Sequence, residues 1–259
     1  MNENLAAFER LLNIMNELRT KCPWDKKQTF ETLRTLTIEE VYELAEAIVN
    51  KNKQEIKKEL GDILLHIVFY ARIGSETGDF DITDVINTLC DKLVYRHPHI
   101  YSNVKVSNDV EVADNWEKLK LNEDENNNRT VLGGVPPSLP ALIKAYRIQD
   151  KARGVGFDWD KKEQIWDKVN EEILELKQEI ENMDQEKTEK EFGDLFFSLI
   201  NASRLYGINP ENALEQTNQK FIRRFNYLES RTIKTGISLK EMNLDEMNVI
   251  WEEAKQFDE

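Results

Sequence analysis

One ordered pattern occurs twice in this chain, and it limits the fold more than any other feature. Trp24-Asp25-Lys26-Lys27 recurs as Trp159-Asp160-Lys161-Lys162, Glu39-Glu40-x-x-Glu43 as Glu171-Glu172-x-x-Glu175, and Glu59-x-Gly61-Asp62 as Glu191-x-Gly193-Asp194. Lys92-x-x-x-Arg96 is echoed by Lys220-x-x-x-Arg224, and Trp116-Glu117 by Trp251-Glu252. The order is kept throughout, and the separation between each Glu-Glu pair and the later Glu is the same in both copies. The chain is therefore a tandem duplication, and one fold must serve both halves.

The residues between the repeated motifs predict helices. Only 10 Gly and 6 Pro occur in 259 residues, about half the share expected from average usage of roughly 7% and 5%. Over 37–50 the apolar residues Ile38, Val41, Leu44, Ala45 and Ile48 recur at intervals of three and four, while Glu39, Glu40, Glu43 and Glu46 take the remaining face. That is the pattern of an amphipathic helix, and Thr37-x-x-Glu40 near its start fits a capping box. Ile56, Leu60, Ile63, Leu64, Ile67, Val68 and Ala71 predict a second, more apolar helix that stops near Gly74 and Gly78. Similar patterns over roughly 5–18, 83–95, 141–152, 163–182, 189–205, 210–230 and 245–256 make the chain all-α. The run Val104 to Val106 is too brief to change the class. Asn122 to Pro140, with Asn126, Asn127, Asn128, Gly133, Gly134, Pro136, Pro137 and Pro140, reads as a linker. It divides an N-terminal helical repeat at 1–121 from a C-terminal one at 141–259.

Charge and composition narrow the partners. With 49 Asp and Glu against 35 Lys and Arg the net charge is −14, which argues against binding a nucleic acid polymer over a broad surface. No apolar run approaches the roughly 18 residues of a membrane span. Residues 1–10 carry Glu3 and Glu9 rather than a basic stretch followed by an apolar one, so a cytoplasmic location is expected. Cys22 and Cys90 stand far apart without a CxxC pair, which favours reduced thiols of minor structural weight.

The chemistry sits in the repeated acids. At 100° per residue, Glu171, Glu172 and Glu175 fall within a sector of about 100° on one helix, and Glu191 and Asp194 share a face of the next. If the two helices pack antiparallel, five carboxylates converge, and each pair at ~5 Å repels by roughly 3 kcal/mol at an effective dielectric of about 20. A cation must sit among them. All-oxygen ligation favours a hard ion, Mg²⁺ or in its place Mn²⁺, and Mg²⁺ commonly shares its shell with substrate phosphates. A lone Glu on a helix is ordinarily solvated surface. Here five prescribed positions are acidic again in the second copy, a match expected by chance roughly a few times in ten thousand. The neighbours diverge meanwhile, with Tyr42, Ala45 and Lys53 standing against Leu174, Lys177 and Gln185.

The basic pairs Lys92/Arg96 and Lys220/Arg224 each lie one helical turn apart and, by recurring, suggest a phosphate clamp beside the metal. Trp116 and Trp251 fit either a core or a stacking surface for a base. His97-Pro98-His99 resembles a ligand pair, yet Phe225 stands where the repeat should hold His97, so a structural role is favoured. Gly61 and Gly193 fall inside predicted helices, where Gly costs about 1 kcal/mol, and suggest a close helix approach beside the acids. No GxxxxGK[ST] loop is present, which excludes a P-loop mechanism. A di-iron carboxylate bundle needs Glu-x-x-His motifs, and none of His66, His97 or His99 has a Glu three residues before it. A non-catalytic acidic helical module that binds a protein partner is the alternative of another class.

Taken together, Glu-Glu-x-x-Glu followed by Glu-x-x-Asp in two copies, Leu132-Gly-Gly-Val-Pro, Leu139-Pro-Ala-Leu, Gly156-Phe-Asp-Trp159, Arg96-His-Pro-His99 and Lys220-Phe-x-x-Arg224-Phe225 resemble the MazG family of nucleoside triphosphate pyrophosphohydrolases, of the all-α NTP pyrophosphatase group. The resemblance covers nearly the entire chain. It implies helical bundles that dimerise, dependence on Mg²⁺, and hydrolysis of NTPs or dNTPs to the monophosphate and pyrophosphate, in nucleotide-pool housekeeping or a stress response. It assigns metal ligation to Glu172, Glu175, Glu191 and Asp194, and nucleotide contacts to Lys168, Lys187, Lys220, Arg224 and Trp251, with Arg223 beside them. It makes the C-terminal repeat the principal catalytic one, although the first repeat keeps its own set, Glu40, Glu43, Glu59 and Asp62. With four acids on the metal, Glu171 is left to orient or deprotonate the attacking water, so the expected catalytic acids are Glu171, Glu172 and Glu175. A homodimer is also expected because the apolar stripe of Phe192, Phe196 and Ile200 needs cover.

Overall fold

The computed structural model describes residues 2–102, 104, 111–112, 115, 119, 130–235 and 238–257. Among the described residues the regular structure is helical, with no strand. The chain divides into two compact units, Met1–Glu111 and Val112–Glu259. Unit 1 contains α1 (Glu3–Lys21), a 3₁₀ turn (Asp25–Lys27), α2 (Phe30–Val49), α3 (Lys53–Thr77), α4 (Ile82–Arg96) and the single turn α5 (Pro98–Tyr101). Unit 2 contains α6 (Ala141–Gly154), a 3₁₀ turn (Lys162–Gln164), α7 (Ile165–Glu181), α8 (Gln185–Leu205), α9 (Pro210–Thr235), a second 3₁₀ turn (Leu239–Glu241) and α10 (Leu244–Ala254). Trp116, residues 105–106 and the 122–129 part of the expected linker lie outside the described residues.

Each unit is organised around a helical hairpin, α2 with α3 and α7 with α8. The two hairpins turn in the same way. Lys51 and Met183, equivalent in the duplication, both adopt left-handed backbone, with φ of 54° and 55°, a conformation that strains a residue bearing a Cβ. The residue after each caps the returning helix: Asn52 accepts from the N–H groups of Gln54 and Glu55, and Asp184 from that of Lys187. A short connection of this kind forces neighbouring helices to run antiparallel, which brings the acids at the end of one opposite the acids at the start of the next.

The start of α2 departs from the sequence expectation. Thr37 does not cap it: the helix begins at Phe30, and the capping box is formed by Thr29 and Thr32. The Thr37 hydroxyl instead bonds back to the Leu33 carbonyl at 2.9 Å in the helix interior, so Glu40 has no capping duty. The polar residues Thr32, Arg34 and Thr35 hide the periodicity of this first stretch, yet Leu33 is 1% exposed and anchors the core.

The cores differ. In unit 1, Met15, Leu33, Val68, Phe69 and Ile73 form a buried cluster flanked by Phe8, Leu36, Leu65 and Tyr70 among others. In unit 2 the buried cluster is smaller, Ile165, Val169 and Ala202, with Ile173, Leu195 and Leu205 packed against it. The outer face of α8 only partly matches the expected stripe. Phe192 and Phe196 are 42% and 58% exposed, whereas Ile200 is 8% exposed and already covered within its own unit.

Candidate functional site

The acidic motif is assembled twice. One carboxylate oxygen each from Glu40 and Glu43 on α2 and Glu59 on α3 lie within 4.8 Å of one another, and Glu172, Glu175 and Glu191 repeat the arrangement on α7 and α8. Asp62 and Asp194 fall outside those tight groups but act on them through charge, Asp62 on Glu40 and Asp194 on Glu191. At the centre of each group one carboxylate is buried: Glu59 is 2% and Glu172 5% exposed. Glu59 accepts from the Lys58 ammonium at 2.9 Å through one oxygen, while its other oxygen is buried with no partner among the described residues. Glu172 accepts from Lys168 at 2.8 Å, and the same ammonium donates to Glu171 at 2.9 Å.

Burial, then the charges of Glu175, Asp194, Glu172 and Glu179, push the Glu191 carboxyl above the usual carboxylate range. Burial, with Asp62, Glu43, Glu59 and Glu39, does the same to Glu40. Lys168 is shifted upward as well, for a different reason: its bonds to Glu172 and Glu171 hold the proton on its amine well beyond the ordinary range. Crowded carboxylates and an orphaned buried oxygen are costly as they stand. The donors are all hard oxygens, so the sets fit a divalent cation of the Mg²⁺ or Mn²⁺ kind.

Beside the second set lies a cavity of about 880 Å³. Lys168, Glu172 and Glu175 of α7 and Glu191 and Asp194 of α8 line one part of it, and the rest is walled by Ile148, Gln149 and Ala152 of α6, by Phe157, Asp158 and Trp159, and by Ser198, Asn201 and Arg204 further along α8. Glu191, Asp194, Ser198 and Asn201 recur at three and four, so they form a single stripe of α8, roughly 15 Å long at 1.5 Å per residue. Arg204 ties the 156–159 loop to this helix by pairing both its Nη atoms with the Asp158 carboxylate, Nη1 at 3.0 Å. Burial opposes ionisation of Asp158, but the bonds from Arg204 and from the Trp159 N–H outweigh it and hold the carboxyl below its ordinary value.

The basic and aromatic residues expected at the site divide into two groups. Lys168 joins the acids. Glu171 is exposed beside them, held by Lys168, and does not line the cavity. Lys187 pairs with Asp184 at 3.5 Å and Glu179 at 3.8 Å. Lys220, Arg223 and Arg224 follow one another along α9, and Arg224 lies over the Trp251 ring at 5.6 Å while Phe221 packs against the same ring at 5.0 Å. None of Lys187, Lys220, Arg223, Arg224 or Trp251 lines the cavity of this chain. His97 and His99 face each other with ring centroids 5.6 Å apart, and the His97 Nδ1–H donates to the Leu93 carbonyl. Gly61 and Gly193 correct the sequence expectation, because among the described residues of its own unit a Cβ at either would meet nothing within 4 Å.

The sequence matches the MazG nucleotide pyrophosphohydrolase domain over residues 28–101 and again over 161–228, one match on each hairpin. The nucleoside triphosphate pyrophosphohydrolase/pyrophosphatase MazG of Thermotoga maritima is 43% identical over 100% of both chains. The nucleoside triphosphate pyrophosphohydrolase of Escherichia coli K12 is 40% identical over 97% of this chain and 98% of its own. The chain belongs to the MazG family. A shorter match, 36% identical over 58% of this chain, is to the nucleoside triphosphate pyrophosphohydrolase of Mycolicibacterium smegmatis, of which it covers 48%.

Within this MazG chain the two repeats part company where the cavity lies. In the register that aligns Glu40 with Glu172 and Glu59 with Glu191, the positions of Lys168, Ser198 and Asn201 are held in unit 1 by Leu36, His66 and Phe69. Phe69 is 3% exposed in the first core and Leu36 packs against that core. His66 is buried there, its Nδ1 2.9 Å from the Thr37 hydroxyl, which lies 2.7 Å from Tyr70 OH. Sequence reasoning missed Gln149, Ser198, Asn201 and the Asp158–Arg204 pair because it looked for recurring acids, bases and tryptophans. For Asn201 the signal was present where the repeats differ: it replaces the large apolar Phe69 on the stripe that continues from the acids.

Proposed function

We propose that the chain hydrolyses nucleoside triphosphates, ribo- or deoxyribo-, to the monophosphate and pyrophosphate, with Mg²⁺ as the preferred ion, Mn²⁺ its substitute, and the second repeat as the principal active site. The observation that carries this reading is the carboxylate group of Glu172, Glu175 and Glu191 opening onto a nucleotide-sized cavity with Lys168 in its wall. In the first repeat, Leu36 and Phe69 occupy the corresponding positions as packed core, which supports a weaker role for Glu40, Glu43, Glu59 and Asp62.

Glu172, Glu175, Glu191 and Asp194 would hold the ion. When bound it neutralises phosphate charge and lowers the pKa of water. Glu171, tethered to Glu172 through the shared Lys168 ammonium, is our candidate to orient the attacking water, and Lys168 offsets charge on the polyphosphate. Lys220 and Arg224, with Arg223, Lys187 and Trp251, are proposed as further nucleotide contacts on the strength of the family resemblance. No helix among the described residues is long and apolar enough to cross a membrane; a cytoplasmic nucleotide-pool role without a nucleic acid polymer as partner accords with the charge of −14. We further propose a homodimer, since Phe192 and Phe196 on α8, with Leu174 on α7 at 65% exposure, leave an apolar face open.

The deciding experiment is product identification by phosphorus NMR after incubation with an NTP and Mg²⁺. Monophosphate with pyrophosphate is expected; diphosphate with orthophosphate would overturn the bond assignment.

A further inference from the structure

The far end of the cavity holds two carboxamides whose orientation the surrounding groups fix. Arg204 carries only donors, so the Asn201 atom that it reaches from Nε at 3.1 Å and from Nη2 at 2.8 Å must be the amide oxygen. Arg204 is itself held by Asp158, with its side chain 6% exposed. The Asn201 Nδ2 is thereby turned to the other side, and no described group accepts from it. Gln149 is fixed by the opposite logic. The Phe197 carbonyl can only accept, so the atom 2.8 Å from it is the Gln149 Nε2. That leaves the Gln149 Oε1 buried and, among the described residues, without a partner, in a residue only 5% exposed. A buried acceptor left unmade costs about 1–3 kcal/mol, so its retention points to a donor supplied from outside the protein.

These two amides belong together. Phe197 lies one helical turn before Asn201, so the bond from Gln149 to its carbonyl sets the Gln149 head within a turn of Asn201. Both residues line the same cavity as Glu172 and Glu191, and Asn201 ends the stripe of α8 that begins at Glu191. A ligand whose phosphates meet the acids would extend its other end to this pair.

Resting on the pyrophosphohydrolase reading above, we infer that Gln149 and Asn201 read the hydrogen-bonding edge of the nucleobase, with Asn201 as the donor and Gln149 as the acceptor. The pair is fixed in order, and that order matters. Guanine, hypoxanthine and uracil present a carbonyl acceptor on an exocyclic oxygen beside a ring N–H; adenine and cytosine present an exocyclic amino donor beside a bare ring nitrogen. A donor and acceptor that cannot exchange places match one arrangement and oppose the other. Substrates therefore sort by edge chemistry, {GTP, ITP, UTP} against {ATP, CTP}, and not by ring size. Residues locked in this way discriminate more strongly than a pocket of adaptable side chains, because a mismatched base leaves a buried polar group unpaired.

The test is kcat/KM for ATP, CTP, GTP, ITP and UTP with the full-length protein and Mg²⁺. The expected result is a split of about tenfold or more between the two sets, with a smaller spread inside each. Asn201→Asp keeps an oxygen for Arg204 and replaces the outward donor by an acceptor of the same shape, so it should shrink or invert the split through KM. A split that persists unchanged in Asn201→Asp, or wild-type values within about threefold across all five, would overturn the assignment while leaving pyrophosphohydrolase activity standing. Absence of hydrolysis of every one of the five would instead remove the parent reading and this inference with it.

Discussion

Glu172 is at once the most buried acid of its group and the one that shares Lys168, so it should tolerate loss of charge least. Glu172→Gln or Glu175→Gln should lower kcat/KM by about 100-fold or more, partly restored by raising Mg²⁺, whereas Glu40→Gln or Glu43→Gln should stay within about threefold. Equal losses at Glu40 and Glu172, with circular dichroism unchanged, would assign the chemistry to both repeats. Asp158 supplies a pH prediction. Its folded pKa lies below the unfolded value, so the Asp158–Arg204 pair stabilises the fold above the ordinary carboxylate range, and that contribution disappears as pH falls through the lower folded value. Thermal melts of wild type and Asp158→Asn should differ most near neutrality, by about 1 kcal/mol for a pair whose carboxylate side is partly exposed, and the difference should shrink as pH falls below the ordinary carboxylate range. A difference that stays constant however far the pH is lowered would show that the carboxylate charge is not what locks the 156–159 loop to α8.

For individual helices, the informative positions are those where a repeat feature has no partner inside its own unit. Gly193 lies in the middle of α8 with open space around a would-be Cβ, so Gly193→Ala should stabilise the helix by about 1 kcal/mol and raise the melting temperature by about 2–4 °C. A lowered midpoint that depends on protein concentration would mean that a second chain packs there. On α9, Lys220→Ala and Arg224→Ala should raise KM for the nucleotide several-fold while leaving Mg²⁺ affinity unchanged, since neither side chain can ligate a cation. Isothermal titration of the ion beside steady-state kinetics separates those effects, and unchanged kinetics in both variants would take the clamp out of the site.

At the scale of the whole molecule, the exposed faces of Leu174, Phe192 and Phe196 should bring two chains together. Light scattering at micromolar concentration is expected to give twice the 30.4 kDa chain mass, and Phe196→Glu should shift the distribution towards monomer. A monomeric wild type would leave this face to some other partner. The duplication itself predicts unequal halves: one fold is used twice, with one copy packed around Phe69 and the other opened around Asn201.

The sequence by itself determined the helical class, the tandem repeat, the helices that bear the acids and the acids themselves. Those properties depend on local periodicity and on spacing along one helix, and a duplicated motif states them twice. Tertiary structure alone decided three further things. It placed the start of α2 at Phe30, because Leu33 is held by the core and not by a regular pattern. It left Gly61 and Gly193 in open space, since whether a helix passes nearby depends on elements distant in the chain. It also set Gln149, Asn201, Asp158 and Arg204 around one cavity, separating them from Lys220, Arg224 and Trp251. A cavity is the space that several helices leave between them. No single stretch of sequence records that space, which follows from how α6, α7 and α8 pack.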